Sequence, residues 1–118
     1  MKKVVFIDGV RTPFLKSGTD YMDLMSYQLG QFAIKGLLDK TGIDVNEIDR
    51  VIYGNVISNV RTENVAREAA VTAGIPVKAP ANTVKQACIS ANQAICNAVD
   101  SIQLGRADVI ISGGTECT

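Results

Sequence analysis

Cys88 is the residue best placed by its neighbours to do chemistry. It follows Asn82-Thr83-Val84-Lys85-Gln86, which reads as a short strand, and precedes a helical stretch starting near Ser90. A thiol at a strand-to-helix junction meets the positive end of the helix dipole and backbone N–H groups without intrahelical acceptors, which favour negative charge on sulfur. The same N–H groups suit an oxyanion developing on an attacked carbonyl. Ala87, Ser90 and Ala91 are small enough to let a substrate approach. Free cysteines also serve as small buried hydrophobes, and spacing alone leaves that role open for Cys88.

The other candidates carry weaker signals. Cys96 falls in the middle of a helical apolar stripe and is expected to pack; it is not helically aligned with Cys88, so a redox pair is not supported. Cys117 follows Gly113-Gly114-Thr115-Glu116 and is expected to be structural. The glycine pair permits positive φ or close backbone approach but is no dinucleotide fingerprint. Glu116 is either an acid, an orienting group or a solvated loop carboxylate. Arg11 suits either a carboxylate clamp or an ion pair, and Arg67 can brace strand ends from its helix.

Composition limits the chemistry further. The 118 residues contain no His, so they supply no His base, triad or His metal ligand. Three Cys at these spacings make no CxxC zinc site, and no metal is expected. Twelve Lys+Arg balance twelve Asp+Glu, which removes the electrostatic case for nucleic acid or an anionic membrane as partner. No apolar run approaches the roughly 20 residues that span a bilayer. Asp8 interrupts Val4-Val5-Phe6-Ile7 before any signal-peptide core forms, and free thiols fit a reducing, cytoplasmic setting.

The elements that must position these residues alternate in type. Val4-Val5-Phe6-Ile7 reads as a first strand buried on both faces. Residues 22–40 carry Met25, Leu29, Phe32, Ala33 and Leu37 at helical spacing, closed by Gly42. Residues 50–57 predict a strand and residues 63–73 a helix stopped by Gly74 and Pro76. After the weaker strand at 82–86, residues 90–104 form a helix with Ala91, Ala94, Ile95, Ala98, Val99 and Ile102 on its buried stripe. Residues 107–112 make the last strand. The class is α/β in the order β-α-β-α-β-α-β, a mostly parallel sheet with helices on both faces. A buried strand as the last element suggests a chain cut from something longer.

Taken in order, several segments resemble the N-terminal portion of the thiolases, the acetyl-CoA acetyltransferase and 3-ketoacyl-CoA thiolase family. They are Arg11-Thr12-Pro13, then Asn64-Val65-Ala66-Arg67-Glu68-Ala69-Ala70 through Gly74-Ile75-Pro76. Ala87-Cys88-Ile89-Ser90-Ala91-Asn92-Gln93-Ala94 and Gly113-Gly114-Thr115-Glu116 follow. The Cys-Ile-Ser-Ala-Asn-Gln wording is similar to the β-oxidation branch that includes trifunctional-enzyme β-subunits.

The resemblance implies that Cys88 is the nucleophile of an acyltransferase of fatty acid metabolism. It would form an acyl-cysteine intermediate from acetyl-CoA or a 3-ketoacyl-CoA. Coenzyme A thioester is then a substrate rather than a bound cofactor, and no residue here is assigned to holding it. The resemblance also implies a homo-oligomer. In the family a His, a second Cys and an Asn-held water complete the site from later in the chain, and none has a match here. Residues 1–118 would be a partial N-terminal domain without the loop domain or the C-terminal half, and inactive alone. A non-catalytic thiolase-derived scaffold or acyl-CoA-binding module is the alternative. Lys85 departs from the family, which has Asn, Ser or Thr there; it either acts on the thiol or points to solvent.

Overall fold

A computed structural model describes residues 1–118. The chain forms helix α1 (Ser26–Thr41), strand β1 (Arg50–Gly54), helix α2 (Val65–Thr72), strand β2 (Ala81–Val84), helix α3 (Ser90–Gln103) and strand β3 (Ile110–Gly114). The strands make one parallel sheet in the order β2-β1-β3, with Ile52 opposite Asn82 on one side and Ser112 on the other. Parallel strands cannot be joined by a tight hairpin, so each connection runs through a helix.

Alternation along β1 decides what each face buries. Val51 and Tyr53 face α1 and α2, in a cluster with Ile34, Ala66, Ala69, Ala70 and Ile111. Ile52 faces the opposite way, onto Ala94 and Ala98 of α3. The sheet is therefore covered by helices on both faces, as the alternation of elements implies. Small residues on α2 let it sit close to α1 and the sheet. Gly42 ends α1 in the left-handed region at φ 67°, its N–H donating to the Leu38 carbonyl at 2.9 Å.

Three expectations are corrected. Val4–Ile7 is not a strand: it pairs with nothing, and Val5, Phe6 and Ile7 are 63%, 85% and 76% exposed. A strand needs a ladder partner, and this segment is held at its ends by salt bridges instead, Lys2–Asp108 and Asp8–Lys40, both 2.9 Å. The sheet consequently has three strands. Second, the α3 stripe is buried only at Ala94 and Ala98. Ile95 is half exposed and Cys96 exposed, because α3 covers its face of the sheet with no helix beside it. Third, Phe32 is exposed, and the buried face of α1 runs through Leu29, Gly30 and Ile34.

Candidate active site

Cys88 sits on a tight turn between β2 and α3, and Ser90 closes that turn. The Ser90 hydroxyl accepts the Gln86 N–H at 2.8 Å and donates to the Ala87 carbonyl at 2.7 Å. Ser90 is buried, whereas Cys88 between these contacts is exposed. Ala87 adopts φ 49°, the only non-glycine residue of the chain in the left-handed region. That conformation costs a β-carbon-bearing residue about 1–2 kcal/mol. It persists because the hydroxyl bridge fixes its neighbours, and such strain gathers where a side chain must be presented.

The helix behind the thiol lies unusually close to the sheet. A Cβ on Gly54 would fall 2.5 Å from the Ala91 nitrogen, and one on Gly114 2.9 Å from the Ala91 Cβ. Glycine at the ends of β1 and β3 thus brings the first turn of α3 against the strand ends. The Ala91 and Asn92 N–H groups donate to no backbone acceptor. They are the orphan donors expected at a helix start.

An open cleft of about 680 Å³ reaches this point. The N-terminal segment, including Arg11 and Phe14, lines one side, and the end of β3 with Gly113, Gly114 and Glu116 lines another; Cys88 and Ala91 are at its wall. Tyr53 lies beneath, its hydroxyl pushed above the usual phenol range by burial.

The remaining candidates fall in different places. Glu116 is exposed, and one of its carboxylate oxygens accepts from the Val56 N–H, the Ile57 N–H at 3.1 Å and the Asn55 side-chain amide at 3.2 Å. The loop these bonds hold follows β1, which ends at Gly54, short of the expected 57. Lys85 neither contacts the thiol nor points freely to solvent; it donates to the Asn55 and Val56 carbonyls, each at 3.1 Å. Arg11 lies over the Phe14 ring at 5.0 Å, with no carboxylate partner. Arg67 braces the loop entering β2 by donating to the Ala79 carbonyl at 3.0 Å. Cys96 lies outside the cleft, and Cys117 rests its thiol on the Leu24 carbonyl at 3.2 Å.

Ser90, Asn55 and Asn64 carry more of the geometry than their sequence contexts suggest. Asn64 caps α2 by accepting the Arg67 N–H at 3.3 Å, and its amide holds the Ala81 carbonyl at 3.0 Å. The signal available for Ser90 was its type, a hydroxyl residue at a helix start able to bond the turn before it.

A family model described as the thiolase N-terminal domain matches residues 4–117. The chain belongs to the thiolase family. It is similar to the mitochondrial trifunctional enzyme subunit beta of Bos taurus, 51% identical over 116 residues, which cover 98% of this chain and 24% of that protein. Similarity to the 3-ketoacyl-CoA thiolase of Aliivibrio fischeri is 36% over 114 residues, 97% of this chain and 26% of that one. Among solved structures, a Bacillus anthracis acetyl-CoA acetyltransferase superposes with a TM-score of 0.86 at 32% identity. It covers 90% of this chain and 27% of that chain. This thiolase chain spans about a quarter of the length of the curated relatives it matches.

Proposed function

We propose that the chain is the nucleophile-bearing part of a thiolase-type acyltransferase, with Cys88 taking the acyl group. The observation that carries this reading is the Ser90-closed turn, which holds Cys88 exposed at the wall of the cleft beside the unpaired N–H groups that open α3. The Cys88 sulfur attacks the thioester carbonyl of an acyl-CoA; the new S–C bond forms, the S–C bond to coenzyme A breaks, and the thiol proton leaves with the coenzyme A sulfur. The Ala91 and Asn92 N–H groups suit the charge that develops on the carbonyl oxygen. The names of the relatives, a 3-ketoacyl-CoA thiolase and an acetyl-CoA acetyltransferase among them, support the substrate class.

These 118 residues contain no His, and a general base is worth about 10² to 10⁴ in rate. The isolated chain is therefore expected to acylate slowly and not to turn over. Intact mass after incubation with acetyl-CoA is the test. One acetyl group on the wild-type chain, absent from a folded Cys88→Ser variant, is expected. No adduct, or an equal adduct on both proteins, overturns the reading and leaves a non-catalytic domain of thiolase architecture.

A further inference from the structure

Lys85 and Glu116 form no direct ion pair, yet they grip the same two peptide groups from opposite sides. In the Asn55–Val56 peptide, the carbonyl accepts from the Lys85 ammonium at 3.1 Å and the N–H donates to the Glu116 carboxylate. The Val56–Ile57 peptide repeats the arrangement, its carbonyl on Lys85 at 3.1 Å and its N–H on Glu116 at 3.1 Å. Two consecutive peptide dipoles thus lie in parallel between a cation and an anion. Each charge polarises the peptide towards the other, so the contacts reinforce one another across the loop. The paired N–H groups form the backbone concavity that suits an anion, filled here by this chain's own carboxylate.

The location gives the arrangement its consequence. Residues 55–57 leave β1, Lys85 leaves β2 immediately before the Cys88 turn, and Glu116 follows β3. Val56, Ile57, Cys88 and Glu116 all line the cleft. Asn55, only 2% exposed, adds a third tie by donating its side-chain amide to the Thr115 carbonyl at 2.8 Å. Three strand exits are therefore locked together through one loop, and Gln86, next to Lys85, begins the hydroxyl-closed turn.

We propose that Lys85 is a positioning residue, acting through two peptide groups and Glu116 to hold the loop at residues 55–57 as a fixed wall beside the Cys88 turn. Its bearing on acyl transfer rests on the nucleophile reading of Cys88; the peptide-bridged clamp itself does not.

The test uses Lys85→Met, Lys85→Arg, Glu116→Gln and the Lys85→Met/Glu116→Gln double variant, each checked for fold by circular dichroism. Amide hydrogen exchange at Val56 and Ile57, followed by NMR, reads the clamp. Acetyl-adduct formation at Cys88 reads the positioning. Lys85→Met is expected to speed exchange at both amides and to slow adduct formation, each about two- to fivefold, the scale of an exposed charge pair. Lys85→Arg, which keeps the charge and can donate to both carbonyls, restores both. Because the two charges act through shared peptides, the double variant changes exchange by less than the product of the single changes. Unchanged amides in Lys85→Met overturn the proposal, as do altered amides with unchanged adduct formation. If the wild-type chain forms no adduct, the nucleophile reading and the positioning role fall, and the amides alone decide whether the clamp exists.

Discussion

Gly54 and Ala91 meet backbone to backbone: a Cβ on Gly54 would lie 2.5 Å from the Ala91 nitrogen and equally close to the Ser90 carbonyl carbon. Neither neighbour is the end of a flexible side chain, so Gly54→Ala must push the first turn of α3 off the sheet. Overpacking of this kind costs about 1–3 kcal/mol. Gly114→Ala meets the Ala91 Cβ at 2.9 Å and is expected to cost less. Gly36, in the interior of α1, has nothing within 4 Å of the position a Cβ would take. Gly36→Ala is therefore expected to stabilise by about 0.5–1 kcal/mol. Urea unfolding of the three variants checks the order; a Gly54→Ala protein as stable as wild type removes the argument for close approach.

Ser90→Ala leaves the Gln86 N–H without its partner, while the Ala87 carbonyl loses the hydroxyl and keeps the Ser90 backbone N–H at 3.2 Å. The unpaired N–H costs about 1–3 kcal/mol where it stays shielded from water. The turn then has less to hold Ala87 at φ 49°. The expected outcome is lower stability together with slower acetyl-adduct formation at Cys88, because presentation of the thiol is lost with the turn. Ser90→Thr keeps the hydroxyl and is expected to retain more of both. Equal adduct rates in wild type and Ser90→Ala would separate the turn from the chemistry.

The cysteines should separate by accessibility. Cys88 and Cys96 are exposed, whereas Cys117 is half-buried with its thiol on the Leu24 and Tyr21 carbonyls. A maleimide added to the folded chain should modify Cys88 and Cys96 quickly and Cys117 slowly, with all three reacting together in denaturant. Peptide mapping by mass spectrometry at short times checks it. Rapid modification of Cys117 in the folded state would mean that the segment after β3 opens readily.

The sequence made the helices and three of the strands legible because their periodicity reflects which faces are covered within the chain. It misled at Val4–Ile7 because an apolar β-branched run records a wish to be buried, not the presence of a partner strand. Ile95 and Cys96 misled for the same reason, since a helical stripe says nothing of what covers it. Cys88 stood out through its junction between strand and helix. The contacts that shape its turn did not: Ser90 bonding back across it, Lys85 turning to two carbonyls, and Glu116 gathering three donors are all choices among possible partners. Residue type lists those partners, and only the fold brings them within reach.

Asp49 supplies a pH dependence with a definite sign. Its carboxylate accepts the N–H groups of Asp108 at 2.8 Å and Val109 at 3.0 Å, while its own N–H donates to the Val109 carbonyl at 2.9 Å. It thereby fixes where β3 begins beside β1. The Asp108 N–H, then the Val109 N–H, hold the carboxyl below the usual carboxylate range. A depressed pKa in the folded state means that the unfolded chain binds its proton first as pH falls. The stabilisation is therefore present above the ordinary carboxylate pKa of about 3.9 and is lost as pH drops through the lower folded value. Asp49 is exposed, so solvent limits the effect to about 0.5–1 kcal/mol. Asp49→Asn should lower stability by that amount at pH 7, and its stability should converge with wild type as pH falls through the lowered folded value. A difference of constant size from pH 7 to pH 2.5 would show that Asn is misfitting the turn rather than lacking the charge.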